Sequence, residues 1–552
     1  MATHLENLIA GAIASAYRAA LGEALSMDTT EIRPTDRPEF GDYSTNVALV
    51  AASSAGTSPR DLAADLVRRV EQADGHALFR EIQIAGPGFI NVFLQPATIQ
   101  SALAHLLRAE DRYGRSELGR TKQVQIEFVS SNPTGPLTVG HGRQAVLGDV
   151  LANLYERLGF DVSREYYFND EGRQIDLLAE SLWIRYRELF GEDREIPEDG
   201  YRGEYLKDVA RTVRDELGDR FLEFDGETGD WFRREAVHRM TDRIKADLEA
   251  VGVRFDEWFS EAALHRSGEV DRALGALREK DGVYEEDGAI WLKAEDHGGA
   301  KDSVLFRSDG RPTYLMVDIA YHLNKHDRGF DRVINVQGAD HHAELTCVLA
   351  ALRILGLPEG WLSYAVHQFV SLKQGGETLK MSTRAGRFYT LRDLIDELGP
   401  DIVRWFMISR KPEAHLDFDL DLARSESRDN PATYVQYAHT RISSIFRKAG
   451  DEAIAEATPD LRVLTETEEL DLIKALDRFP EIVEYAALSF APHLIADYAL
   501  QLSRAFHAYY DKHRVLSDDA ELTAARLALL HGLRIVLRES LEILGMTVPE
   551  EM

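Results

Sequence analysis

The chain holds a single cysteine, Cys347, among 552 residues. One thiol excludes an intramolecular disulfide and any zinc site built on several cysteines, and it points to the cytosol. No stretch approaches the roughly 20 apolar residues that a bilayer span needs, so no membrane partner is expected. The opening MATHLENLIAGAIASAYRAAL has neither a basic start nor a continuous apolar run and does not read as a secretory signal. Its apolar residues recur at helical spacing and predict an amphipathic helix. There is no internal repeat period and no low-complexity segment. Basic charge is in short supply: 64 Lys and Arg face 94 Asp and Glu, a net charge of −30. A nucleic-acid partner needs a basic footprint, so any such footprint here must be local. The global charge favours solubility and opposes indiscriminate polyanion binding.

What is present organises into roughly three to four domains, since one core cannot serve this length. Residues 1–110 mix helical patterns with short strands, an α+β block. Within it REIQIAGPGFINVFL alternates apolar and polar residues about Gly86-Pro87-Gly88, as a strand pair joined by a turn would. A helix near Ile99–Ala109 ends the block, and 111–123 reads as a linker. Over 120–420 the strand VQIEFVSSN, a Gly/Pro turn, a helix from about Gly142 to Leu158 and the strand DVSREYYF open a Rossmann-like doubly wound parallel sheet. Residues 172–300 read as a helical, charged insertion without strands. The alternation resumes through SVLFR, TYLMVDIAYHLNKH, DRVINVQ, a helix over Asp340–Leu355 and SYAVHQFV. Residues 421–552 read as an all-α bundle. The fold class is therefore α/β, flanked by an α+β block and a helical bundle.

Two segments carry chemistry. In Leu137–Arg143, LTVGHGR, Gly140 lets a nucleotide approach closely because it has no Cβ. Gly142 and the following helix offer an N-terminus to phosphate. His141 can donate to a phosphate oxygen that gains charge in the transition state. In Leu379–Arg384, a glycine-hinged loop brings Lys380 and Arg384, with Met381, Ser382 and Thr383 between them, towards a departing pyrophosphate. Alone, either segment could be a solvated turn. Together, on opposite halves of one split nucleotide fold, they predict an ATP site and a nucleotidyl-transferring enzyme.

LTVGH resembles the HIGH signature, and LKMSTR the KMSKS signature, of class I aminoacyl-tRNA synthetases. More narrowly, IEFVSSNPTGPLTVGHGRQAVLGD is similar to the signature segment of bacterial arginyl-tRNA synthetases. The likeness continues through FGDYSTNVAL, GPGFINVFL, YYFNDEGRQI, TYLMVDIAYH, NVQGADHH, YVQYAHTRI and LGMTVPEEM, essentially the whole chain. The resemblance implies ATP-dependent attachment of arginine to tRNA(Arg) through arginyl-adenylate, with Mg2+ carried by ATP, in a cytoplasmic monomer. It further implies tRNA elbow contact by the N-terminal block and anticodon reading by the helical bundle.

A guanidinium presents five donors and a fixed charge, so its pocket needs planar acceptors and a carboxylate. Glu127 and Asn132 flank the end of the first strand, Tyr314 and Asp318 share a helix face, and Gln337 ends a later strand. The resemblance implies that Asp318 and Glu127 meet the cationic groups of arginine, with Asn132, Tyr314 and Gln337 orienting it. Gly338, Asp340 and His341 fall beside the ATP segment. His-rich 340–342 could suggest a metal, but adjacent helical residues diverge, and no protein-bound metal is expected. In the bundle, Tyr434, Gln436, Tyr437 and Arg441 mix aromatic and basic groups suited to unpaired bases, or equally form an ordinary amphipathic helix. Two positions depart from the family pattern: Thr138 stands for the first histidine of HIGH and Thr383 for the later lysine of KMSKS. Gly135 stands where some arginyl enzymes carry a compensating lysine. The expected burden falls on His141, Lys380 and Arg384, with Thr138 as a further hydroxyl donor. A synthetase for another amino acid, or a tRNA-binding relative without activity, are the competing readings.

Overall fold

The computed structural model describes residues 2–22, 30–35, 37–73, 75–339, 342–379, 389–450 and 459–552. The first helix, α1 (His4–Leu21), is fixed at its start by a reciprocal cap. Thr3 Oγ1 accepts from the Glu6 amide at 3.2 Å, and the Glu6 carboxylate accepts from the Thr3 amide at 2.9 Å. There follow β1 (Ile32–Pro34), β2 (Tyr43–Thr45), α2 (Val47–Ala55), α3 (Pro59–Gln72), β3 (Phe79–Ala85), β4 (Phe89–Leu94) and α4 (Pro96–Ala109). The sheet runs β1-β2-β4-β3, antiparallel throughout, and Ala85 pairs with Phe89 across the predicted Gly-Pro-Gly turn.

The main sheet begins with β5 (Gln123–Glu127), α5 (Val139–Arg157) and β6 (Asp161–Phe168). Helix α5 starts three residues earlier than predicted, so Gly140 and His141 lie in its first turn. It lies close over the sheet because Gly148 has no side chain: a Cβ there would meet Phe128 Cγ at 2.1 Å. Three helices come next, α6 (Arg173–Glu188), α7 (Glu204–Leu217) and α8 (Gly226–Ala250). Their apolar faces close on one another in a small separate core around Leu182, Tyr186, Leu206 and Phe232. The last turns of α8 leave that core, since Ile244 and Leu248 join the main one.

The expectation of a strandless insertion through 300 is corrected here. After α8 come β7 (Glu257–Ser260), the helices α9 (Glu261–Arg266) and α10 (Glu269–Glu279), and then β8 (Val283–Glu286) and β9 (Ala289–Leu292). The strand β7 pairs in parallel with β6, and β8 with β9 forms a hairpin. Asp287 and Gly288, at φ 51° and 74°, make its two-residue turn. Strands of four residues are too short for alternation to stand out from helical charge patterns, although the Asp-Gly pair was a signal.

The remaining elements are β10 (Ser303–Phe306), α11 (Tyr314–Asp327), β11 (Arg332–Gly338), α12 (His342–Leu355), β12 (Leu362–His367), β13 (Val370–Gln374), β14 (Glu377–Thr378), α13 (Leu391–Leu398), α14 (Pro400–Ile408), β15 (Leu416–Asp419) and α15 (Leu420–Ala423). SYAVHQFV, expected as one strand, is broken into β12 and β13. The main sheet is parallel in the order β12-β11-β5-β6-β7. The chain thus winds outward from β5 to β7 and returns on the other side at β11. That reversal opens a crevice at the carboxyl ends of β5 and β11, where doubly wound folds hold their ligands.

The carboxyl-terminal part consists of α16 (Pro431–Ala449), α17 (Thr467–Asp477), α18 (Phe479–Leu488), α19 (His493–Lys512) and α20 (Ala520–Ile543), with no strand among the described residues. One buried residue ties these parts together. Arg404 of α14, 1% exposed, donates from Nε to Leu544 O at 2.7 Å, from one terminal nitrogen to Val251 O at 2.9 Å, and from the other to the Asp149 carboxylate of α5.

Candidate active site

The crevice is a cavity of about 650 Å³. Its floor is the end of β5, where Val129 and Ser130 stand at φ 69° and 42°. Two successive non-glycine residues in the left-handed region, one of them β-branched, are strained and need support from their surroundings. The turn swings Ser130 back so that its hydroxyl donates to Glu127 Oε1 at 2.8 Å and accepts from the Tyr167 amide at 3.2 Å.

The start of α5 forms one side. Thr138 is the residue that caps it, and its amide donates to His141 Nδ1 at 3.1 Å. With Nδ1 accepting, the ring proton sits on Nε2. Burial, with His367 nearby, holds the His141 pKa down at about 4. His141 is thus a neutral N–H donor, and Thr138 faces this ring, with its hydroxyl 3.4 Å from Nδ1. Gly140 lines the cavity, and a Cβ there would meet only Thr138 Oγ1, at 3.7 Å. Gly142, expected at the nucleotide, is corrected: it is buried against Leu391, whose Cδ1 would lie 2.7 Å from an added Cβ. Arg143, fully buried, donates to the carbonyls of Gln368, Ala414 and Lys411 and so pins α5 to the neighbouring turn.

Lys380, Met381, Ser382, Thr383 and Arg384 lie outside the described residues, as do Asp340 and His341. The residues on either side of 380–388 are described, however. The Leu379 amide donates to Leu372 O at 2.9 Å, and the Leu391 amide donates to Leu137 O at 2.8 Å, beside a bridge between Thr138 and Thr390. The residues that follow the second segment therefore lie against the start of the first. At Gly135, an added Cβ would stand 3.2 Å from the Tyr205 hydroxyl, which donates to Thr134 O at 2.6 Å. The helical insertion occupies the space that a longer side chain at 135 would need.

Helix α11 forms the opposite side. Tyr314 is 70% exposed at its first turn, and the Asp318 carboxylate, one turn on, is one-third exposed to the cavity. Gln337 and Gly338 at the end of β11 line the same cavity, and so does Asn132, whose amide donates to Gln174 at 3.0 Å. Glu127 stands differently from expectation. Its Oε2 accepts from Lys325 Nζ at 2.6 Å, and that lysine has no exposed surface. The carboxylate already has an internal cation.

Several groups here were not anticipated. Lys325 and His322 form, with Asp318, a polar stripe along one face of α11, at helical spacing, and that spacing was the signal available. Glu261, at the start of α9, accepts from the Tyr167 hydroxyl at 2.6 Å and the Asn169 amide at 2.7 Å, and burial raises its pKa. It lay in the segment read as a remote insertion. Phe369, 60% exposed, stands at the cavity edge.

In the helical bundle, Tyr434 and Tyr437 pack on His507, and Arg441 donates to the Tyr437 hydroxyl at 2.8 Å and covers the Tyr510 ring. All three are partly exposed. Gln436 is corrected: it is buried, and its amide donates to Asp401 at 2.7 Å and to Thr547 O at 3.1 Å, which leaves it no reach to a base. Among the described residues no group of three His, Cys, Asp or Glu side chains could hold a metal ion, and no helix is long and apolar enough to cross a membrane.

Three family signatures match the chain. They are the arginyl tRNA synthetase N-terminal domain over 3–94, the catalytic domain of class I (R) tRNA synthetases over 101–404, and the DALR anticodon binding domain over 435–552. The arginine–tRNA ligase of Thermotoga maritima is 43% identical over 99% of this chain and 100% of its own length. That of Carboxydothermus hydrogenoformans is 42% identical over the whole of both. The solved arginyl-tRNA synthetase of Thermus thermophilus superposes with a TM-score of 0.74 at 25% identity, over 99% of this chain and 100% of that one. A methionyl-tRNA synthetase of Mycobacterium tuberculosis, 14% identical with a TM-score of 0.54 over 76% of this chain and 91% of its own, shares the fold.

Proposed function

The chain belongs to the arginyl-tRNA synthetase family, and from that premise we propose how its pocket joins arginine to tRNA(Arg). Asp318 takes the guanidinium, and this assignment rests on one observation: its carboxylate opens to the cavity with no lysine or arginine paired to it among the described residues. Tyr314 covers the guanidinium, while Asn132, Gln337 and the outer face of Glu127 orient the amino-acid end. ATP enters as its Mg2+ complex, with Gly140 and Gly338 giving its backbone room. Asp340 and His341 complete the nucleotide side.

The arginine carboxylate oxygen attacks the α-phosphorus, the bond to the bridging oxygen breaks, and pyrophosphate leaves with that electron pair. The Nε2–H of His141 donates to the phosphate oxygens, and Lys380 and Arg384, with Met381 and Ser382 between them in sequence, draw off the pyrophosphate charge. A hydroxyl of the terminal tRNA ribose then attacks the acyl carbon and AMP leaves. Positioning and electrostatics account for the rate, and no protein nucleophile is needed. Thr138 acts by holding the His141 ring.

Residues 1–110 form the elbow-contacting domain, 120–420 the catalytic domain and 421–552 the anticodon-binding domain, in which Tyr434, Tyr437 and Arg441 offer stacking and phosphate contacts. The enzyme acts as a cytoplasmic monomer, which sedimentation of the pure protein checks. Charging of total tRNA with each amino acid in turn tests the reading. Arginine alone should be esterified, and incorporation of a different amino acid, or of none, overturns it.

A further inference from the structure

Beneath the cavity, a chain of buried polar groups joins two of its carboxylates, Glu127 and Asp318. Lys325 Nζ donates to Glu127 Oε2 at 2.6 Å and to Asn335 Oδ1 at 3.1 Å. Asn335 Nδ2 lies 3.0 Å from His322 Nε2. His322 Nδ1 lies 2.8 Å from Asp318 O and 3.1 Å from the Asp318 carboxylate. Lys325 and His322 have no exposed surface, and Asn335 is 5% exposed.

The direction of every bond follows from the lysine. An ammonium only donates, so the amide oxygen of Asn335 must face it and the amide nitrogen must face His322. His322 Nε2 therefore accepts, and its proton is on Nδ1, aimed at Asp318. That N–H is shared: it donates to the Asp318 main-chain carbonyl at 2.8 Å and stands 3.1 Å from one carboxylate oxygen, an attraction that sets the plane of the carboxylate. A guanidinium pairs with a carboxylate as a planar fork and depends on that plane, whereas an ammonium is a point charge and does not. A buried ionic chain is also a costly way to fill a core, because apolar groups of equal volume serve stability as well or better.

We propose that Asn335 and His322, set by Lys325, are positioning residues that fix the Asp318 carboxylate for arginine and thereby determine specificity. Lys325 and His322 lie behind the cavity wall, and Asn335 reaches that wall with 5% of its surface. The inference rests on the assignment of Asp318 to the guanidinium.

The test uses full-length enzyme in aminoacylation, with two variants of similar polarity. His322→Asn keeps a donor where Nδ1 stands, whereas His322→Gln places its amide where Nε2 stands and cannot reach Asp318. His322→Gln should raise the KM for arginine about tenfold, the scale of one hydrogen bond to a charged group. The KM for ATP and the kcat at saturating arginine should stay within about twofold. His322→Asn should stay within about threefold of wild type in every constant. Equal effects of the two variants, no effect, or a parallel rise in the KM for ATP would overturn the proposal. As a guard against misfolding, the apolar pair His322→Leu/Asn335→Leu should keep or raise the Tm yet weaken arginine. An unchanged KM for arginine in that pair, or loss of folding in all three proteins, makes the chain structural and sinks the idea. Wild-type enzyme that fails to charge tRNA with arginine would instead remove the underlying reading.

Discussion

At the scale of single residues, the site works through protons and charges whose positions are set by neighbours. Asp318 supplies the open negative charge, so Asp318→Asn should raise the KM for arginine more than about a hundredfold, because a charge-assisted fork becomes a neutral contact that also misplaces two donors. Steady-state charging at saturating ATP measures it, and a change below about tenfold would reassign the guanidinium. His141 has the opposite character, a donor kept neutral by burial. Its folded pKa of about 4 lies below the ordinary 6.5, so the unfolded chain takes up the proton first. The stability from this buried neutral ring is complete above pH 6.5 and is lost as pH falls towards 4. Between pH 7 and pH 4.5 the urea midpoint should fall further for wild type than for His141→Gln, and parallel falls would contradict the assignment. That Tyr314, Asp318, Gln337 and Gly140 line one cavity was legible because motif and helix spacing are local properties. Lys325 was not, since its partner Glu127 is 198 residues away, and neither was the burial of Gln436, whose partners come from two other elements.

At the scale of elements, strand, glycine turn and helix could be read in order because each has its own period and its own punctuation. The β7 strand could not, being four residues at a sheet edge, and neither could the point where α8 leaves the insertion's core. The pairing of β5 with α5 depends on a missing side chain. Gly148→Ala should force Phe128 and the helix apart at a cost of about 1–3 kcal/mol, read as a lower urea midpoint with unchanged slope. A substitution without effect would mean that α5 does not approach the sheet as closely as the 2.1 Å contact requires.

At the scale of the whole molecule, Arg404 is where the nucleotide helix, the end of the insertion and the carboxyl-terminal bundle meet. Arg404→Met leaves Asp149 with only the more distant Arg164, 3.7 Å away, and removes donors from two buried carbonyls, a loss of about 3–5 kcal/mol. Calorimetry should show the fall in Tm across the catalytic and helical parts together, and a shift confined to one of them would argue against the linkage. The same residue has a consequence for synthesis on the ribosome. One oxygen of Asp149 has Arg164 nearby, but the other waits for a partner made 255 residues later, and that partner waits for a carbonyl 140 residues further on. At roughly 10 residues per second the wait is on the order of half a minute. The half that carries Asp149 is therefore born unfinished, and the contact that anchors α5 through Arg404 is completed only once the carboxyl-terminal bundle has been made.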